Sequence, residues 1–330
     1  MGRFWFRLLI FGLGLCLLDI AVLGLILCGS HLFRTELYST ARDYPESEIL
    51  ILGSSHAREG ISPQFLLAET GLSAYNLGGA GQNSLVNNYL SRLLVARGRR
   101  PAIVMISVGY DDLHEYSRPH ILTQFVPPEE LGGITWHFIG QKNWNSLRNF
   151  FYADRYSSSA RMALSRALSW AVTGRRQPRV GADPARGYHP FNRSVQPLAR
   201  PASPGTAPFI CNPLVLAALK EMAALWRAKG AQVLILDTPE YLPSRLYRGE
   251  YSRYQALMEE VAGTSGAHFR SFNDPEIEWL NDPGCFRDGG WERPNSHLNI
   301  KGGMRFNKLL SEWMRELGLV EGFPATPETR

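Results

Sequence analysis

Three short apolar runs, Ile49–Leu52, residues 73–77 and residues 102–108, are separated by segments long enough to hold a helix each. That spacing constrains the fold more than any other feature of the chain. Parallel strands need crossover connections of about a dozen residues or more, usually helical, whereas antiparallel ones can be joined by tight turns. Ile49 to Leu52 are continuously apolar, as in a strand covered on both faces. A helix is predicted over 64–70, stopped by Gly71, and a longer one over 84–96. In the latter, Leu85, Val86, Tyr89, Leu90, Leu93 and Leu94 recur at helical spacing. The alternation resumes with a helix over 213–229, a strand over 232–236, a helix over 251–264, a weak strand over 268–271 and a closing helix over 300–317. The expected architecture is α/β, a three-layer αβα fold with a mostly parallel, doubly wound sheet.

Two segments stand outside this pattern. Residues 4–28 are apolar over about a bilayer's thickness, interrupted by Arg7 near one end and Asp19 inside. Arg3 and Arg7 precede the apolar centre, so the expectation is an N-terminal transmembrane anchor over 1–30 with those arginines in the cytoplasm. A cleaved signal peptide is the second reading. The remainder, a connector over 31–47 and a domain over 48–330, then lies on the periplasmic or extracellular side of the inner membrane. The other exception is an insert at about 113–210. Its first part is aromatic, residues 160–172 look helical, and residues 174–208 are dense in Arg, Pro and Gly. That last composition predicts an exposed loop, since it builds no core. A lid or substrate-binding element and a flexible excursion are both open readings.

With 45% hydrophobic and 20% charged residues the chain is an ordinary folded protein, and its net charge of +5 is modest. It carries no legible nucleic-acid module. Cys211 and Cys285 lie in the exported part, where a disulfide is allowed, but two separate thiols fit equally well. No Cys or His spacing suggests a metal, and no cofactor is expected. The Gly-rich turn after the second strand lacks the lysine of a phosphate loop.

Four polar pieces follow strands or precede the last helix: Gly53-Ser54-Ser55, Asn76-Leu77-Gly78-Gly79-Ala80-Gly81, Gly109-Tyr110-Asp111-Asp112 and Asn295-Ser296-His297-Leu298-Asn299. In a doubly wound sheet the first three converge at the carboxyl edge, where such folds bind ligands. A serine, a histidine and Gly-rich backbone amides there make a nucleophile, a general base and an oxyanion site. Ser55 as a helix-start serine and His297 as a cap are the plainer readings. His56, next in sequence to Ser55, is expected to point elsewhere.

In order and spacing these blocks resemble the SGNH (GDSL-like) hydrolase superfamily, with its flavodoxin-like fold. GSS…GISP, YNLGGAG and SHLNIKGG resemble more closely its membrane-anchored members in cell-envelope polymer acylation, among them the teichoic-acid D-alanylation and polysaccharide O-acetyltransferase-like proteins. The resemblance covers about residues 48–112 and 212–317. It implies Ser55 as nucleophile, His297 as base, and Gly81 with the Ser55 amide at the oxyanion, in a turn that also holds Asn76 and Gly78. Two positions depart from the pattern. Asp111 stands where the family has asparagine, and an ionised carboxylate donates no hydrogen bond. Pro294 stands where the family has the acid that orients the histidine. Asp288, Glu292, Asp237, Asp111 or Asp112 could supply that acid, or a Ser–His dyad could act without one.

The expected activity is transfer or hydrolysis of an acyl ester on a cell-envelope polysaccharide through an acyl-serine. Its partners would be an acyl donor, the polymer and, as the resemblance implies, a multi-spanning membrane acyltransferase. A non-catalytic polymer-binding or scaffolding subunit of an export complex is the alternative, and a free-standing lipase or thioesterase a third.

Overall fold

The computed structural model describes residues 4–7, 10–14, 17, 46–113, 186–190, 208–242, 249–287 and 297–320. The chain divides into two compact units, one formed by Met1–Tyr44 with Arg118–Ala182 and the other by Pro45–Ser117 with Asp183–Arg330. Of the first unit, only the residues up to 17 are described. They are helical, with Phe4, Trp5, Phe6, Ile10, Phe11, Leu13 and Leu17 exposed. Among the described residues no helix is long and apolar enough to cross a membrane. Most of the expected anchor, and the helix expected over 160–172, lie outside the described residues.

The second unit runs β1 (Ile49–Leu52), α1 (Ser55–Gly60), α2 (Pro63–Thr70), β2 (Ala74–Asn76), α3 (Ser84–Ala96), β3 (Ile103–Ser107), α4 (Pro213–Ala228), β4 (Gln232–Asp237), α5 (Tyr251–Ser265), β5 (His268–Ser271) and α6 (Ile300–Glu316). The five strands form one sheet in the order β2-β1-β3-β4-β5, all parallel. This is the flavodoxin-like order, whose switch point lies between β1 and β3. Continuous apolar runs in β1, β3 and β4 suit this arrangement because both faces are covered.

On one face Ile49, Ile51, Ile103, Met105, Leu234 and Leu236 join Phe306, Leu310, Trp313 and Met314 of α6 in a core that also holds Phe272 and Phe286. The alternate residues Leu50, Leu52, Val104, Ile106, Val233 and Ile235 are also buried and point to the opposite face by the strand pleat. On that side α3 packs on α4, where the buried Trp226 indole N–H donates to Ser91 Oγ at 2.9 Å. Three of the long helices start with a side-chain cap. Asn83, Asn212 and Asn299 accept from backbone amides in the first turns of α3, α4 and α6.

One stretch of the insert corrects the expectation of an exposed loop. Residues 186–190 dock beside β2: the Asn76 amide donates to Arg186 O at 2.9 Å, and Arg186 Nη1 donates to Ala74 O at 3.2 Å. The His189 amide donates to Arg58 O on α1 at 3.0 Å. Composition misses this docking because backbone groups and a half-buried tyrosine carry it, not an apolar run.

Cys211 and Cys285 are both free thiols. Cys285 is buried in the core cluster, and burial pushes its thiol up to about 11.

Candidate active site

β1 ends at Leu52 and the chain turns through Gly53 and Ser54 into α1, whose first residue is Ser55. The turn requires glycine. Gly53 has φ of +152°, and a Cβ there would come within 2.8 Å of both Ala57 Cβ and Ser107 Cβ. Close approach of β1, β3 and α1 thus leaves Ser55 half-buried at the carboxyl edge of the sheet.

The Gly-rich turn after β2 is stitched to the same helix. Asn76 is buried; its Nδ2 donates to Ala57 O and Ile61 O at 2.8 Å each, and its Oδ1 accepts from the Gly78 amide at 2.8 Å. Gly78 leaves room for α1, since a Cβ would lie 2.8 Å from the Arg58 nitrogen. The Gly79 amide donates to Gly53 O at 3.2 Å. Gly81 is exposed with φ of +72°. Asn76 thus fixes the turn, its Nδ2 engaged by α1 and its Oδ1 by the Gly78 amide.

His297 is held from its backbone. Its carbonyl accepts from the Arg287 amide at 2.9 Å, Phe286 and Leu298 form an antiparallel bridge, and the Asn299 amide donates to Cys285 O at 3.1 Å. Asn299 Nδ2 donates to Gly284 O and Phe286 O, while its Oδ1 caps α6 at Gly302. This clamp brings residues 242 apart in sequence together: Ser55 Oγ and His297 Nε2 are 2.6 Å apart. That is hydrogen-bond distance for a nucleophile and its base.

The electrostatics of His297 act in one direction. Burial, His56, Arg287 and Arg58 all disfavour the imidazolium, so its pKa lies well below the ordinary 6.5. His297 is neutral at physiological pH, the form able to accept the Ser55 proton.

The expected acid is accounted for only in part. Asp288, Glu292 and Pro294 lie outside the described residues. Asp111 is exposed on the 3-10 turn Tyr110–Leu113, and it is Asp112 whose Oδ2 accepts from the Gly109 amide at 2.7 Å. Asp237, buried at the end of β4, accepts from the Tyr251 and Ser271 hydroxyls. Burial, and then the Asp237 charge, hold the Tyr251 hydroxyl well above the usual tyrosine range.

Several neighbours were not legible as site residues. His56 does not point away, as expected for an adjacent residue. Its ring centroid lies 4.3 Å from that of His297. Its Nδ1 lies against Gly109, beside Asp112 Oδ2. Glu59 has no exposed surface, yet ion-pairs with Arg58 at 2.9 Å and Arg287 at 3.1 Å. Its pKa is raised by burial and opposed by both arginines. Burial and Glu59 push Tyr188 up to about 12. Gln82 follows Gly81, is 1% exposed, and its amide, folded over Gly79, has no hydrogen-bond partner among the described residues. Only the position of Gln82 beside the Gly-rich turn could have drawn notice in the sequence. Among the described residues no group of His, Cys, Asp and Glu is arranged to hold a metal ion.

No family model matches the chain, and no curated protein matches it. Among solved structures it is similar to an acylhydrolase from Bacteroides fragilis NCTC 9343, at 10% identity and a TM-score of 0.40, covering 85% of this chain and 94% of that one. It is also similar to TesA, at 14% identity and a TM-score of 0.39 over 82% of this chain and 98% of that one. A GDSL-like lipase from Bacteroides thetaiotaomicron VPI-5482 is similar at 11% identity and a TM-score of 0.35, covering 82% and 88%.

Proposed function

We propose that this chain is a membrane-anchored, SGNH-like serine enzyme that transfers or hydrolyses an acyl ester on a cell-envelope polysaccharide. The observation that carries the reading is the 2.6 Å Ser55–His297 pair at the carboxyl edge of the sheet, with its histidine kept neutral.

The chemistry follows from that pair. Ser55 Oγ attacks the acyl carbonyl carbon while its proton passes to His297 Nε2, so the imidazole's other nitrogen carries the remaining hydrogen. The carbonyl oxygen becomes an oxyanion. Backbone amides of Ser55 and Gly81 receive it, and the neutral amide of Gln82 supplies a side-chain donor that an ionised Asp111 cannot. Collapse breaks the bond to the leaving alcohol, which takes the proton from His297. A sugar hydroxyl or water then gives its proton to His297, attacks the acyl-serine and releases Ser55. The backbone clamp on residues 297–299 helps to orient the base.

The apolar N-terminal segment, whose described side chains are exposed, supports membrane attachment with the domain on the outer face. A multi-spanning acyltransferase would hand the acyl group to Ser55, and the polymer would receive it. In the test, Ser55→Ala and His297→Ala are compared with the unaltered chain for ester turnover and for polymer acylation. Loss of about two to four powers of ten in each variant is expected; unchanged turnover in Ser55→Ala overturns the reading.

A polymer-binding, non-catalytic role has one observation in its favour. Burial, His56 and two arginines all weaken His297 as a base. That role predicts no acyl-serine under any condition.

A further inference from the structure

We infer that His56 is a positioning residue: its ring lies against that of His297 and keeps the imidazole turned toward Ser55. The inference rests on the acyl-transfer reading and names a residue that acts through its base.

The clamp on residues 297–299 is built from backbone bonds and the Asn299 side chain. It fixes the chain at His297 and leaves the imidazole to rotate about its Cβ–Cγ bond. That torsion joins an sp³ to an sp² carbon, so its profile is broad and roughly two-fold. The 2.6 Å contact between Nε2 and Ser55 Oγ uses only a narrow part of it. A flat group packed against the ring restricts the torsion directly, and the His56 ring supplies one. The two centroids are 4.3 Å apart with the planes 34° from parallel. His56 is braced in turn. It is the second residue of α1, and the turn after β3 closes on its ring: a Cβ at Gly109 would lie 3.5 Å from Nδ1 and 3.8 Å from Cε1. Asp112 Oδ2 ties that turn down by accepting from the Gly109 amide at 2.7 Å. Support thus passes from the β3 turn through His56 to the base.

The contact also couples charge. Among the described residues, the charged and titratable groups set against the two rings are Arg58 on α1, Arg287 beside the Phe286–Leu298 bridge, Glu59 held by both arginines, and Asp112 on the turn after β3. A positive charge on His56 disfavours a second one on the ring beside it, which is one of the causes that keep His297 neutral. His56→Phe keeps a flat, buried ring at this place and removes that charge. The His297 pKa should therefore rise in His56→Phe.

Full-length variants in detergent test this with a fluorophosphonate probe, read as the maximal rate of Ser55 modification and the probe concentration giving half of it. His56→Ala and His56→Leu should lower the maximal rate by about ten- to a hundredfold and leave the half-saturating concentration nearly unchanged. His56→Phe, with its flat ring, should recover most of that loss. Should His56→Ala fail to fold, His56→Leu and His56→Phe, which both fill the place, decide. A full rate in His56→Leu overturns the inference. So does a rate in His56→Phe as low as in His56→Leu, which would make His56 a proton carrier instead. NMR of the histidine-labelled chain gives a second readout: the titration midpoint of His297 should rise in His56→Phe, and a midpoint that stays in place overturns the ring contact. If Ser55 is never modified while that midpoint moves, the acyl-transfer reading falls and the ring contact stands. Modification at full rate in every His56 variant removes the positioning role and leaves the acyl-transfer reading intact.

Discussion

At the scale of single residues, the state of His297 determines what the site can do. Its protonated form is disfavoured by burial and by three neighbouring groups, so the neutral form persists into acid solution. The sign follows directly. Activity that needs neutral His297 is present above its folded pKa and is lost as pH falls through it, and that pKa lies below the ordinary value of about 6.5. The acid limb of kcat/KM should therefore fall below the range of an ordinary histidine. Arg287→Gln, which removes one cation, should move the limb to higher pH. A limb at or above the ordinary range, or one that Arg287→Gln leaves in place, contradicts this account. Gln82 gives a second test. If its buried amide serves the oxyanion, Gln82→Ala lowers kcat by about two to three powers of ten with little change in KM. A loss confined to KM would assign the amide to substrate binding instead.

At the scale of elements, the strands and crossover helices were legible because two-sided burial writes itself as apolar runs and helical periodicity. The helix over 84–96 and the strand over 268–271 were read to the residue. Their neighbours differ by a residue or two at the ends, where capping and not periodicity sets the boundary. The site was legible only in its glycines, its serine and its histidine. Glu59 and Arg287 meet across 228 residues, and the docking of 186–190 rests on backbone hydrogen bonds. Neither leaves a periodic trace. That docking makes a prediction: Gly187 has φ of +85°, and a Cβ there would lie 1.8 Å from Asn76 O. Gly187→Ala should release the segment from β2, giving faster amide exchange at Asn76 and weaker substrate binding. Unaltered exchange would mean that the contact does not hold. Asn76 is the firmer anchor. Asn76→Ala removes three hydrogen bonds in a buried site, and a loss of about 2–4 kcal/mol is expected from denaturant unfolding.

At the scale of the whole molecule, a five-stranded parallel sheet gathers Ser55, the Gly-rich turn and the Gly109–Leu113 region at one edge, and α6 delivers His297 to it. On the proposed reading the apolar N-terminus tethers the chain to a membrane. Extraction of membranes with alkaline carbonate should leave the full chain in the pellet and release a chain lacking residues 1–30; release of both would remove the anchor from the account. The central claim is that Ser55 becomes acylated with His297 as its base, and intact-peptide mass spectrometry after treatment with a fluorophosphonate probe tests it most directly. The account predicts an adduct on Ser55, absent in Ser55→Ala and formed far more slowly in His297→Ala. An unmodified Ser55 in the folded full-length chain, or an adduct that forms equally fast without His297, would contradict it.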